Sequence, residues 1–323
     1  MANRKRPRVV VVGSLVFDCV ALADRIPRKG ETVLGQSFGT FSGGKGANQA
    51  VAAARLGAEV FMVGRVGQDD RAGFLLASLD ASGVNTEFVK ADPAAGTGAC
   101  CIHVDAAGEN TIIIVPQANL ACAPEDVDAA REVIASADAV VCQLEIAMPA
   151  VARAVDLADE LGVRVILNPA PAGAFPAGLF AKATYLTPNE TEAEFFTGVA
   201  LPLGGLAPEP KNDWEARASA KLLDMGPRKV IITLGQRGAY LATRNTRQLI
   251  PSYPVKAVDT TAAGDAFSGA LALALAEGRG DEQAIAFANG AGALAATRAG
   301  SQPSLPTRQE LDDFLRCTKP CLC

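Results

Sequence analysis

At 323 residues with 49% hydrophobic content, the chain can bury a large core and hold one big α/β domain plus an accessory unit. Lys and Arg number 30 against 35 Asp and Glu, and the net charge of −5 excludes electrostatic attraction to nucleic acid or anionic lipid. No run of about 18 apolar residues and no signal-peptide pattern occurs, so the expectation is a soluble cytoplasmic protein without a membrane partner, with organellar import left open.

In chain order, Arg4, Lys5, Arg6 and Arg8 read as a solvated N-terminal tail. Short apolar runs come next at Val9 to Val12, Glu59 to Val63, Ala139 to Gln143, Val163 to Asn168, Tyr185 to Pro188 and Lys229 to Leu234, and these predict strands. Between them lie Ala/Leu-rich helical stretches such as Gln49 to Leu56 and Met148 to Leu161. The alternation predicts an α/β fold with a central, mostly parallel sheet covered by helices on both faces. Two segments, Cys19 to Phe41 and Thr97 to Val115, carry β-like runs without a long helix between them. They predict a separate small sheet. The expected division is an α/β domain of residues 1–15, 45–95 and 119–323 and a small β domain of residues 16–44 and 96–118. The Pro/Gly-rich stretch Gly198 to Lys211 reads as a surface loop without a function.

The glycine-rich turn Phe41 to Ala50 lets backbone approach a ligand closely. Gly39 through Lys45 has Walker A spacing, but Gly46 stands where Mg²⁺ chemistry needs Ser or Thr, so a P-loop is rejected. Nor is there a G-x-G-x-x-G between a strand and a helix, which removes the main case for a dinucleotide dehydrogenase. Asn48 and the amides of Gly44 to Gly46 suit the hydroxyls of a polyol, although an ordinary turn would have the same composition. Near the other end, Asp259-Thr260-Thr261-Ala262-Ala263-Gly264-Asp265-Ala266-Phe267 feeds into the apolar run Ser268 to Glu277. Small residues at Ala262, Ala263 and Gly264 would let amides converge on an anion at a helix N-terminus. A carboxylate placed there, Asp265, reads as a general base beside a phosphoryl-transfer centre, or more simply as a helix cap at Ala266.

The eight cysteines, at 19, 100, 101, 122, 142, 317, 321 and 323, are scattered through the chain and read as reduced thiols; the terminal three lack His or Asp partners for a metal. His103 is the single histidine and lies in a strand-like run, so neither a Ser-His-Asp triad nor a His-ligated zinc site can be built.

Taken together, Gly44-Lys45-Gly46-Ala47-Asn48, Thr187-Pro188-Asn189-Glu190-Thr191-Glu192, Thr233-Leu234-Gly235-Gln236-Arg237-Gly238 and Asp259 to Asp265 resemble, in order and spacing from about Val9 to Leu315, the ribokinase branch of the PfkB carbohydrate-kinase family. Gln143-Leu144-Glu145 and Asn168-Pro169-Ala170-Pro171 point to that branch as well. The resemblance implies a ribokinase-like fold whose small sheet is a lid, a homodimer formed through the lid sheets, and ATP-dependent phosphorylation of D-ribose at O5, giving ribose 5-phosphate and ADP. Another sugar or nucleoside kinase of the family, such as a fructokinase or adenosine kinase, is the alternative within the enzyme class. A binding regulator that no longer turns over is the alternative outside it.

By the same resemblance, the sugar would be held at Val16, Phe17, Asp18, Gly44, Lys45, Gly46, Ala47, Asn48 and Glu145, with Asp265 the base and the Ala262 to Gly264 amides the anion hole. Many bacterial members carry Asn where this chain has Val16, so one sugar contact is expected to be missing or made by main chain. ATP would contact Asn189, Thr233, Leu234, Gly235, Gln236, Arg237, Gly238, Gly264, Asp265 and Asn289, and Glu192 would act on Mg²⁺ through water. A K⁺ cage is implied at Asp259, Thr261, Ala295, Arg298, Gly300 and Ser304. The competing reading is that Asp259 only bonds loop amides. Many relatives also have Gly at the position of Ala262.

Overall fold

The computed structural model describes residues 6–176, 178–202 and 213–321. The first strand, β1 (Arg8–Val12), is four consecutive valines after an arginine, all four fully buried. Val9 and Val11 enter one apolar cluster, whereas Val10 and Val12 enter another. Alternation of side chains along a strand with both faces covered explains why the run is uniformly hydrophobic.

From β1 the chain enters a small sheet through β2 (Val16–Ala23) and β3 (Gly35–Gly43), then returns through α1 (Lys45–Arg55), β4 (Glu59–Gly67), α2 (Asp70–Ala81) and β5 (Val84–Asp92). A second excursion, β6 (Ala99–Val104) and β7 (Asn110–Val115), completes the small sheet in the order β3-β2-β6-β7. The main sheet continues through α3 (Pro124–Ala129), α4 (Arg131–Ala135), β8 (Ala139–Cys142), α5 (Met148–Glu160), β9 (Arg164–Leu167), β10 (Tyr185–Leu186), α6 (Glu190–Thr197), α7 (Trp214–Asp224) and β11 (Lys229–Thr233). An edge hairpin, β12 (Ala239–Ala242) and β13 (Arg247–Ile250), is followed by the helices α8 (Ala263–Ala276), α9 (Asp281–Ala295) and α10 (Arg308–Cys317).

Among the described residues the main sheet has nine strands, ordered β13-β12-β11-β10-β9-β8-β1-β4-β5. Pairing is parallel from β5 to β11 and antiparallel at β12 and β13, so the sheet is mostly parallel, as the alternation predicts. No helix among these residues is long and apolar enough to cross a membrane.

Several expectations need correction. Arg8 is no solvated tail, since it is partly buried and pairs with Glu59 at 2.9 Å; Arg6 is exposed and donates from Nε to Gly57 O at 2.9 Å. Arg4 and Lys5 lie outside the described residues, as does most of the Gly198 to Lys211 stretch. Helix α1 begins at Lys45, four residues before the predicted start, and α8 at Ala263. In both cases the turn runs directly into the helix.

Helices α1 and α8 touch through backbone. A Cβ at Gly269 would fall 2.7 Å from both Gln49 O and the Ala52 methyl, so only glycine lets α8 lie this close to α1. Each residue of α8 from Asp265 to Leu275 is buried, which explains the uninterrupted apolar run from Gly269 to Leu275.

Candidate active site

The loops after β1, β8, β9, β10 and β11 meet at the carboxyl ends of the parallel strands, where open α/β sheets bind ligands. On the small-sheet side, Glu145 Oε2 accepts from Ser14 Oγ at 2.5 Å and from the Lys45 amide at 2.9 Å. The first turn of α1 is thereby tied to the loop after β8. Gly46 allows this approach, since a Cβ there would come within 2.4 Å of Ser14 N. Asp18, on β2, lies against Gly43, where an added Cβ would meet its Oδ2 at 2.0 Å. Burial, then the nearby Glu145 carboxylate, raises the Asp18 pKa to about 7.

Asp265 occupies the first turn of α8, yet it does not cap the helix. Its Oδ2 accepts from Asn48 Nδ2 and its Oδ1 from Gln49 Nε2, both at 2.9 Å. Gln49 is in turn held by Gln143, which donates to its Oε1 at 2.7 Å, while its own Nε2 also reaches Asn168 Oδ1 at 3.1 Å. Burial pushes the Asp265 pKa up, and the Lys45 ammonium and the two amide donors only partly offset it. Burial opposes the Lys45 charge, but the carboxylates of Asp265, Glu145 and Glu192 outweigh it and hold its pKa above the ordinary lysine value. A cavity of 190 Å³ gathers Lys45, Asn189, Glu192, Thr233, Gly264 and Asp265.

The N-terminus of α8 opens into that cavity. Ala262, at φ 60°, holds the left-handed conformation that glycine adopts without cost. The Ala263 amide already donates to Thr260 O at 3.2 Å. Among the described residues no partner is found for the Ala262 and Gly264 amides, which leaves both able to donate to an anion.

A second cavity, of 550 Å³, opens from the same helix terminus and includes Thr233, Gly235, Gln236, Gly238, Gly264 and Asn289. Gly238, at φ 103°, sits so close to the following hairpin strand that a Cβ would meet Ile250 O at 2.1 Å. Asn289 Nδ2 donates to Ile250 O at 3.0 Å and Pro251 O at 3.2 Å, fixing the far wall. Two expected nucleotide residues are placed otherwise: Leu234 is buried in the core, and Arg237 pairs with Glu215 of α7 at 2.5 Å.

Other expected residues make contacts within the fold. Phe17 packs edge-on against Phe74 of α2 at 5.2 Å, Ala47 is buried within α1, and buried Val16 passes its main-chain nitrogen close to Gly44. Glu192 is buried rather than solvated and forms a capping box with Asn189, accepting from its amide at 2.8 Å; burial raises its pKa. The Asp259 carboxylate accepts from the Thr261 amide at 2.9 Å and the Gly300 amide at 2.8 Å, the loop-bonding arrangement. Burial pushes its pKa up, but these donors win and keep it below the usual carboxylate value. Ser304 Oγ donates to Ser301 O at 2.7 Å, Arg298 pairs with Glu310 at 2.7 Å, and Ala295 O accepts from the Arg298 amide at 3.1 Å. His103 lies on β6 opposite Thr111, and the described cysteines are free thiols.

Residues 6–308 match the model of the pfkB family carbohydrate kinases. The chain belongs to that family. It is 42% identical over 308 residues to a ribokinase of Bacillus subtilis, an alignment that covers 95% of this chain and 99% of the relative. Among solved structures it resembles a ribokinase from Thermotoga maritima at TM-score 0.84 and 36% identity, covering 95% of this chain and 99% of that one. It also resembles an Arabidopsis thaliana ribokinase complexed with ribose and ATP, at TM-score 0.85 and 33% identity, covering 96% and 99%. The ribokinase-like architecture expected from the motifs is therefore present.

Ser14, Gln49 and Gln143 join the site without having stood out in the sequence as site residues. Gln49 is adjacent to Asn48 in the glycine-rich motif, where the sequence predicts the start of a helix. An amide one residue from a ligand-facing Asn at a helix N-terminus is the signal that could have found it.

Proposed function

We propose that this protein transfers the γ-phosphoryl group of ATP to the 5-hydroxyl of D-ribose, giving ribose 5-phosphate and ADP. The observation that carries the proposal is the buried Asp265 carboxylate, clamped between Asn48 and Gln49 where a polar sugar-side cluster meets a nucleotide-sized cavity. Similarity to a ribokinase crystallised with ribose and ATP supports the same assignment.

In this mechanism Asp18 and Asn48 hold sugar hydroxyls. Asn48 Oδ1 is buried without a hydrogen-bond partner among the described residues, an acceptor suited to a hydroxyl donor. The sugar O5–H gives its proton to Asp265 as the oxygen attacks the γ-phosphorus and the bond to ADP breaks. A pKa raised by burial brings the base nearer the operating pH. Charge spreading over the phosphoryl oxygens is stabilised by the Ala262 and Gly264 amides and by Lys45. Residues 16–44 and 96–118 act as the lid.

The donors present fit a magnesium ion held mainly by phosphate and water. Among the described residues no cluster of three or more His, Cys, Asp or Glu could cage one, and Glu192 has lone pairs left after capping α6. Glu192 would hold Mg²⁺ through water, and the ion would supply charge neutralisation on the phosphates. The ionised Asp259, the Ser304 hydroxyl and the carbonyls of Thr261, Ala295, Arg298 and Gly300 suit a weakly hydrated monovalent cation such as K⁺. Leu22, Ile112 and Ile114 are exposed and share one face of the small sheet, which supports a homodimer through the lids. A cytoplasmic location completes the proposal.

The test is ADP release over a panel of ribose, 2-deoxyribose, fructose and adenosine. Ribose should give the highest kcat/KM. A higher value for fructose or adenosine would reassign the substrate, and saturable ribose and ATP binding without any ADP would favour a non-catalytic regulator.

A further inference from the structure

The matched family region ends at residue 308, the first residue of α10. Residues 309–321 stay packed on the molecule. After the Thr318 amide closes the helix on Phe314 O at 2.9 Å, the backbone turns back, and the Cys321 amide donates to Ser252 O at 2.7 Å. Phe314 of α10 packs edge-on against Tyr253 at 5.6 Å, so helix and tail hold the same loop from two sides. Ser252, Tyr253 and Cys321 are all walls of the 550 Å³ cavity.

Polarity assigns the two ends of that cavity. The triphosphate belongs beside Gly264 and the first turn of α8, where free amides and the helix dipole favour an anion. Among the described residues no charged side chain lines this cavity, and the part formed by Ser252, Tyr253 and Cys321 suits the flat, largely apolar face of a base.

We propose that residues 318–321, after α10, are a nucleotide-positioning wall added to the matched family region, with Cys321 the side chain that bounds the base end of the cavity. This rests on the nucleotide reading above. Cys321 is only partly buried, so its thiol is open to a reagent when the cavity is empty and covered when a nucleotide fills it.

The experiment uses the full chain and N-ethylmaleimide, whose alkene carbon is attacked by the thiolate sulfur while the neighbouring carbon takes up a proton. Labelling at each cysteine is tracked by peptide mass spectrometry with and without a non-hydrolysable ATP analogue. The analogue should slow labelling of Cys321 at least tenfold and leave the exposed Cys101 and Cys317 unchanged. Labelled protein should bind the analogue at least tenfold more weakly and ribose within twofold of the untreated protein, whereas Cys321→Ser treated identically should keep its nucleotide affinity. Equal labelling of Cys321 with and without nucleotide, or unchanged nucleotide affinity after complete labelling there, overturns the proposal. If in that case Asn289→Ala still weakens nucleotide binding, the nucleotide cavity stands and only the tail's role falls. If the untreated protein binds no nucleotide, the underlying assignment falls with it.

Discussion

The two sides of the cleft are built from different materials. Toward the small sheet, polar side chains brace one another: Ser14 on Glu145, Gln143 on Gln49, and Gln49 and Asn48 on Asp265. Toward β13 and α9, the wall is mostly backbone and small residues, with Gly235, Gly238, Pro254 and Ala293 setting its shape. A sugar is told from its isomers by hydroxyls, and a buried polar site left unpaired by the wrong isomer loses far more than an apolar one would. A purine face needs a slot more than a set of partners. Substitutions on the first side should therefore act through charge and hydrogen bonding, and those on the second through shape.

The strongest break of this contrast is Asp265→Asn, which keeps volume and removes the base. It should lower kcat by roughly 10²-fold or more and leave ATP affinity nearly unchanged. Steady-state kinetics with direct ATP-binding measurements check it, and activity within about threefold of wild type would defeat the assignment of the base.

A smaller effect is expected at Asp18, whose pKa near 7 makes the sugar side pH-sensitive. As pH falls through that value the carboxylate takes a proton and loses acceptor capacity, so the ribose KM should rise about tenfold from pH 8 to pH 6 while the ATP KM stays flat. Because the folded pKa lies above the unfolded one, the folded state holds the extra proton and the free protein loses stability as pH rises from about 4 to 7. Asp18→Asn should therefore bind ribose poorly at every pH and melt higher at pH 8, by ~2 °C. A ribose KM independent of pH in the wild type would remove Asp18 from the sugar site.

The gentlest perturbation lies outside both walls. Titrating K⁺ at constant ionic strength in sodium-free buffer should raise kcat a fewfold with saturation, since a cation at Asp259 would steady the turn that aims the α8 amides. In Asp259→Ala the response should vanish. Full activity without K⁺ would leave Thr261 and Gly300 as the partners that explain the Asp259 carboxylate.

Legibility from sequence divides along similar lines. Strands with uniform valine and isoleucine runs announce themselves, because burial on both faces leaves a continuous apolar signature. The antiparallel strands β12 and β13 do not, since a four-residue edge strand such as Arg247–Ile250 carries too little pattern. Among site residues, the motif positions Asn48, Asn189, Thr233, Gly264 and Asp265 converge in space. Leu234 and Arg237 lie within a motif, but a motif marks a loop without saying which side chains face inward. Gln143 and Ser14 cannot be read from sequence at all, for their role exists only once β1, β8 and α1 are side by side.

The contact at Gly269 acts as a caliper on the reaction. Asp265, the proposed base, rides on α8 and its two amide partners on α1, so the spacing between them is gauged by one main chain resting on another. Main-chain contacts of this kind do not flicker between rotamers as long side chains do. The small sheet and the walls of the larger cavity can vary in sequence while the few ångströms between Asp265 and its amide partners stay set.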